Sequence, residues 1–555
     1  MSDGRGAPGR RTAGLLLAAI LLVALALRLW HIDHGLPFAF NVDEAEHFVP
    51  KAIGMFTGGL DPGYYENPPA LTYLLYAVFA LRFGGGSGLE REFAADPEAA
   101  FLTARVAVAL VGTLVVGLIY WAGARFSERR VGLVAAALMA VAFLPVFYSK
   151  QALNDVVALA PVIVGLVACL LVYERGQWGD WALAGAAIGA AVATKYTAGA
   201  MLLTVAVAAG LRAHTTRSSP SAATSTGDRG ELRRVAAGLA IAGAAFLVAF
   251  ALLNPYALLN ASEARGQISG QSAQADTGKL GQDDTYGWLY YAETLTWGFG
   301  WLPLLAALAG AVVAIRRDKQ TALLLIAFPL CFYLYMGAQG RFFGRWLLPA
   351  YPALCVLAGC AVVAAAQAAA AWRGRTVAVV AAAGLTALLC VQGALAAVHV
   401  DTVLGRTDTR EQARRWLAVA VPAGAPVVVE PFVPASWREA LARPIRPVER
   451  PFQAYEKRLS ARRIDRYRAD GQCWVVVGSH QKGRGLKAGL RSARTYYRAL
   501  DAASERTVRF SPFAEGAEPV PFSYDDSFNY RPRAYERPGP VVEIHRLRDC
   551  TPAVG

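Results

Sequence analysis

Long apolar runs separated by short polar apices dominate the chain. They fall at about 13–30, 101–124, 131–148, 155–173, 181–194, 196–211, 235–254, 297–315, 320–337, 346–370 and 376–398, eleven in all. Most approach the ~20 residues a helix needs to cross a hydrocarbon core. The pair flanking Lys195 is shorter. A further stretch, "NPPALTYLLYAVFALRF" at 67–83, could be a twelfth crossing or an interfacial helix.

Basic residues choose between these. If 68–83 crosses, Arg125, Arg129, Arg130, Arg316, Arg317, Arg373 and Arg375 all face outward, against the Lys/Arg bias of short cytoplasmic loops. If it stays in the outer interface, all of them are cytoplasmic, together with the Ser/Thr-rich, arginine-bearing loop 211–234. Residues 68–83 are therefore expected as an amphipathic or re-entrant helix at the outer face, with Tyr73 and Tyr76 suited to an interface. The same parity opens "NVDEAEH", "YYENPP", "YSKQALND", "ATKYTAG", "LLNPYALLN" and "GAQGRFFGRW" on one side.

From His399 onward the pattern changes, with no further span and more Pro, Arg and Asp. "DTREQARRWLAVAVP" reads as a helix served by Asp408 and Thr409 at its N-terminus. "APVVVE", "CWVVVGS" and "PVVEIHRL" read as buried strands. The expected fold class is an α-helical polytopic membrane protein of about eleven transmembrane helices plus one outer interfacial helix, residues 1–400. An extracytoplasmic α/β domain follows at 401–555.

Composition agrees with this reading. Of 555 residues, 55% are hydrophobic and 17% charged, with mean hydropathy +0.34, too apolar for a soluble multidomain protein. The net charge of +14 could suggest nucleic acid, but between the apolar runs the arginines sit in short blocks such as "ARFSERR" and "WRGR", a positive-inside pattern and not a nucleic-acid surface. The N-terminal segment imitates a signal peptide, but its apolar run continues to Trp30 without a clear cleavage site. It reads as an uncleaved first span with a cytoplasmic N-terminus. Five of the seven cysteines lie in apolar runs; Cys473 and Cys550 could pair outside the cytoplasm or remain two thiols.

Candidate chemistry concentrates at the outer face. Carboxylates beside lipid are costly, so Asp43, Glu44, Glu46, His47 and Glu66 form a functional-site suspect. Asp43 could act as a base or cap a helix beginning near Glu44. Glu46 and His47 fit a solvated helix face, or secondary ligands. Glu66 and Asp155 stand at the ends of apolar runs, where they could orient a partner of Asp43, hold a cation or pair with Arg105. Arg341, Arg345 and Lys195 are placed to take a phosphate, because guanidinium makes two-pronged contacts; snorkelling to the interface is the alternative. Walker, dinucleotide and Gly-x-Ser-x-Gly motifs are absent, which argues against soluble nucleotide-dependent chemistry.

"FNVDEAEHFVPKAIGMFTGG", "YYENPPALTYLL", "FYSKQALNDVVALA", "VATKYTAG" and "GRWLLPAYPALCVLAG" occur in this order. Their order and spacing resemble GT-C glycosyltransferases, in the superfamily of dolichyl-phosphate-mannose protein mannosyltransferases and lipid A aminoarabinose transferases. The resemblance covers about residues 13–400. It implies an inverting, multispan transferase that takes a sugar from a polyprenyl-phosphate donor to a glycan, lipid or protein acceptor at the outer surface. The family's Asp-Glu pair falls on Asp43 and Glu44. Its acid before the proline motif falls on Glu66, and the acid ending the third span on Asp155. The candidate catalytic set is then Asp43, Glu44 and Asp155, with Glu66 beside them, and Arg105 and His47 join as supporting residues on the reading of the residues alone. In aminoarabinose transferases the acid that falls on Glu66 helps hold a metal, so a divalent cation is a candidate cofactor, with Glu66 and Asp155 the candidates to hold it. Two departures bear on this: Asn67 replaces a Lys of the aminoarabinose transferases, and no His lies in the 255–300 loop where they supply a metal ligand. A transporter or flippase of lipid-linked saccharides and a noncatalytic envelope protein are the alternatives. Internal repeats, which would favour a transporter, are not found.

Overall fold

The computed structural model describes residues 9–84, 86, 88–217, 225–442, 446–448 and 458–553. Each of the eleven apolar runs is helical. Among the described residues nine helices are long and apolar enough to cross a membrane, from Arg10–Leu29 to the segment beginning at Arg375. The two expected spans outside that set have physical reasons. One is divided into Arg129–Val141 and Phe143–Tyr148 by an extended Ala142, because the ring of Pro145 conflicts with the carbonyl four residues earlier. The other, Trp178–Thr194, has 17 residues. The middle of the expected loop 211–234, residues 218–224, lies outside the described residues.

Residues 70–83 form the expected short helix, Ala70–Phe83. Fourteen residues rise ~21 Å, less than a ~30 Å hydrocarbon core. Leu71, Leu75 and Phe79 are buried on one face, while Leu81 is 89% exposed. The bundle packs closely through small residues. A Cβ at Gly185 would collide with the backbone of Ala242, and one at Gly310 with that of Leu357, the close approach that drives helix association where water offers no hydrophobic gain.

Beyond Arg375–Leu404 the chain builds a five-stranded sheet: β1 (Pro426–Val429), β2 (Arg446–Val448), β3 (Trp474–Gly478), β4 (Ser504–Phe510) and β5 (Val542–Leu547). The order is β2-β1-β3-β5-β4, parallel across β2, β1 and β3 and antiparallel from β3 through β5 to β4. The expected strands are β1, β3 and β5; the edge strands β2 and β4 were not legible. Asp408 caps Thr409–Ala420 by accepting the Arg410 amide. Cys473 and Cys550 form a disulfide, Cα–Cα 5.5 Å, tying β3 to the chain end.

The segment between β4 and β5 runs back onto the helical bundle. Tyr530 and Tyr535 join the bundle's own core, Tyr524 donates to the Leu280 carbonyl at 2.7 Å, and the Arg531 guanidinium lies 4.8 Å over the Trp297 ring.

Candidate active site

The first polar apex is anchored before its acids are placed. Asn41 accepts the Asp43 amide (3.0 Å) and donates to Gln151 (2.7 Å), joining this loop to the apex after the third span. Asp43–Phe48 then forms a π-helical turn leading into Val49–Gly58, a local geometry that recurs at functional sites. Asp43 is not a helix cap: the turn has no side-chain cap bond, and its carboxylate points elsewhere.

Adjacent acids on that turn go in different directions. Glu44 is fully buried; its two oxygens accept from the Arg105 Nε and Nη2, each at 2.8 Å, and Oε1 also takes the Ala152 amide at 2.9 Å. Arg105 spends its third nitrogen on the carbonyls of Ile32 (2.9 Å) and His34 (2.7 Å). Of the alternatives open to Glu66 and Asp155, pairing with Arg105 is not the one realised. Glu44, expected in the catalytic set, has no oxygen facing solvent and holds the first apex against the bundle.

Asp43 meets a different group. Its Oδ2 accepts from the Arg345 Nη2 at 2.8 Å, and about 30% of its side chain remains exposed. The Arg345 Nε lies 3.5 Å from Asp155 Oδ2, and Lys195 donates to the other Asp155 oxygen. Asp155 is 4% exposed. The short pair of runs flanking Lys195 is realised as Trp178–Thr194 and the turn Tyr196–Met201, with the Lys195 ammonium paired to the buried Asp155 between them. Four residues from four distant segments, Asp43, Asp155, Lys195 and Arg345, thus share one ion cluster. Tyr148 and Phe343 flank the Arg345 guanidinium at 5.8 and 5.4 Å.

The other expected residues surround this cluster or stand apart. The His47 ring stacks on Tyr64 at 4.4 Å, and Asn67 donates to the Tyr64 hydroxyl at 2.7 Å. Glu66 beside it is half-buried, and its side chain has no hydrogen bond or ion pair among the described residues. Glu46 is exposed on the solvent face. Arg341 is displaced from the acids: its amide bonds the Ala275 carbonyl (2.8 Å) and its Nη1 reaches Gln274 (3.3 Å). Among the described residues no three His, Cys, Asp or Glu side chains are grouped to share a metal ion.

Sequence reasoning missed Lys279. Its ammonium lies 5.3 Å from both the Phe343 and Tyr524 rings and has no carboxylate within ion-pair distance among the described residues. Burial, then the charges of Arg484 and Arg341, push it down to about 8. A lone Lys in a Gly-rich loop carries no signal that would have singled it out. Along the neighbouring helix Ala261–Ala275 runs a groove of about 650 Å³, lined by Phe250, Ala257, Ala264, Ile268 and Ser272 and ending at Asp276, next to the Ala275 carbonyl that holds Arg341.

The architecture has known counterparts. ArnT from Cupriavidus metallidurans bound to undecaprenyl phosphate superposes with TM-score 0.54, covering 97% of this chain and 98% of its own at 16% identity. The Archaeoglobus fulgidus oligosaccharyltransferase AglB, in complex with an inhibitory peptide and a dolichol-phosphate, gives 0.53 over 93% of this chain and 74% of its own at 13% identity. The fold is that of the GT-C glycosyltransferases. The family described as Dolichyl-phosphate-mannose-protein mannosyltransferase matches residues 98–224, a GT-C stretch that contains Arg105, Asp155 and Lys195. No curated protein sequence matches the chain at a significant level.

Proposed function

We propose that this GT-C protein transfers a sugar from a polyprenyl-phosphate donor to a hydroxyl-bearing acceptor at the outer membrane face, with inversion and with Asp43 as general base. The observation that carries this reading is the Asp43–Arg345–Asp155–Lys195 cluster. Of Asp43, Glu44 and Asp155, Asp43 alone keeps substantial exposure, so it alone can meet an acceptor.

The chemistry follows from the groups present. The acceptor oxygen attacks the anomeric carbon from the face opposite the phosphate, and its proton passes to the Asp43 carboxylate. As that C–O bond forms, the bond to the phosphate oxygen breaks and the phosphate leaves with the electron pair. Arg345 offers five N–H groups, of which the two acids occupy only part, and Lys279 adds a cation with no carboxylate within ion-pair distance among the described residues. Together they receive the departing charge, which is where preorganised donors lower a barrier. Arg341, Lys195 and Asp155 hold the surrounding field, Asp155 by keeping Arg345 and Lys195 in place. The groove along Ala261–Ala275 leads toward Arg341 and suits an isoprenoid chain, while the relatives' dolichol-phosphate and undecaprenyl phosphate support a lipid-phosphate donor class. We assign no divalent cation to the reaction, because Lys195 and Arg345 already serve as the counter-charges of Asp155.

The decisive experiment is mass spectrometry of lipid-linked sugars in cells with and without the gene. Accumulation of a monosaccharide polyprenyl phosphate on deletion is expected; an unchanged pool overturns the transferase reading. Cysteine labelling checks the orientation, with residues 88–97 reacting from outside and 127–130 from the cytoplasm.

A further inference from the structure

The C-terminal part of the chain reaches the turn that carries Arg345 through Asp525 and its neighbour Tyr524. Asp525 lies in the segment between β4 and β5, is 5% exposed, and turns away from its own sheet. Its Oδ1 accepts the Gly344 amide at 3.1 Å and its Oδ2 accepts the Tyr290 hydroxyl. Gly344 immediately precedes Arg345 and starts the turn Gly344–Ala350. Space at this junction is tight: a Cβ on Gly344 would meet Asp525, Thr294 and Trp297 at 3.1 Å each.

The carboxylate is itself held from behind. Its own amide bonds the Ser523 hydroxyl at 3.1 Å, and Tyr524 next to it is fixed to the Leu280 carbonyl and to the edge of Phe343. A buried carboxylate is costly unless hydrogen-bonded. Burial raises the Asp525 carboxyl to about 6, with the Tyr290 and Gly344 bonds opposing that rise. No local requirement of the sheet explains an acid here, since both partners belong to the helical bundle.

We propose that Asp525 is a positioning residue of the active site: by holding the Gly344 amide and Tyr290, it sets the turn that presents Arg345 between Asp43 and Asp155. The C-terminal domain is then a structural part of the transfer centre. A guanidinium serving two carboxylates and a phosphate tolerates little displacement, since misplacement of about 1 Å by a remote change can cost ~10²-fold. This inference rests on the reading of Arg345 as a donor-phosphate group.

The test is a binding cycle on the full-length protein in detergent, with undecaprenyl phosphate as the probe. Arg345→Ala is expected to weaken binding by about tenfold or more, as for a lost charge-assisted bond. Asp525→Ala is expected to weaken it roughly threefold or more in the parent, and to have no further effect in the Arg345→Ala background, the non-additivity of two residues acting through one contact. Asp525→Asn, which keeps an oxygen for Gly344, should restore most of the loss. Unchanged binding in Arg345→Ala overturns the donor reading itself. Loss in Arg345→Ala with none in Asp525→Ala, or an equal loss from Asp525→Ala in both backgrounds, overturns the positioning role. If Asp525→Ala does not fold, Tyr290→Phe replaces it in the cycle with the same two outcomes, because it keeps the ring and removes only the hydroxyl that Asp525 holds.

Discussion

Glu44 and Asp43 are neighbours in sequence, each paired with an arginine at 2.8 Å, yet they do opposite things. The Glu44–Arg105 pair is closed: both side chains are 1% exposed or less, and every Glu44 oxygen is taken. The Asp43–Arg345 pair is open, at 30% and 20% exposure, and Arg345 is shared with Asp155. A closed pair holds structure, because separating it strands a charge in low dielectric. An open, shared pair adds little to stability and leaves its members able to exchange partners with a substrate. The same kind of ion pair, a carboxylate with a guanidinium, is closed scaffold in one place and open to a partner in the other, according to access.

That contrast is best broken from the closed side. Glu44→Gln keeps the shape but leaves Arg105 without its counter-charge, so stability should fall by ~3–5 kcal/mol; thermal unfolding in detergent measures it, and an unshifted transition would deny Glu44 its structural role. On the open side, Asp43→Asn should fold and bind donor normally while turnover drops by ~10²-fold or more, as for a lost general base. An active Asn variant, measured as transfer rate alongside unfolding temperature, would sink the catalytic assignment.

Smaller effects sharpen the same line. Arg345→Ala should cost ~1.5–3 kcal/mol of donor affinity, with Lys restoring only part, because a point charge cannot reproduce the guanidinium fork. Donor titration of both variants decides this, and equal affinities would remove Arg345 from the phosphate. The smallest expected effect is of chelation: treatment with EDTA should leave transfer unchanged if Lys195 and Arg345 are the counter-charges, whereas loss restored by a divalent metal would return Glu66 and Asp155 to the role of ligands.

Another buried pair shows how far the pattern extends. Lys150 stands in the apex "YSKQALND" and resembles Lys195 in its setting at the end of an apolar run. Its ammonium is 3.1 Å from Asp401 on Arg375–Leu404 and also donates to the carbonyls of Leu27 and Trp30. It pins the first and last spans together and has no exposed side. Lys195, by contrast, joins the shared cluster. The two lysines cannot be told apart by local sequence, since both sit beside polar residues between apolar runs.

What the sequence alone determined is everything that depends on period, length and chain-local chemistry. The apolar runs marked the helices because each must bury its backbone polarity internally whatever its neighbours are. The β-branched runs marked β1, β3 and β5, and arginine blocks predicted that the polar apices share one face, an expectation matched when Asp43, Asp155, Lys195 and Arg345 met. Tertiary structure alone decided which charge meets which. Sequence offered Arg105 the acids Glu66 and Asp155, and packing gave it Glu44; β2 and β4 are strands because neighbours supply their ladders; Lys279 and Asp525 come near Arg345 only because a loop and a distant C-terminal segment fold onto the same turn. Partner choice across 181 residues, as between Asp525 and Gly344, is set by packing of whole elements, and no local pattern encodes it.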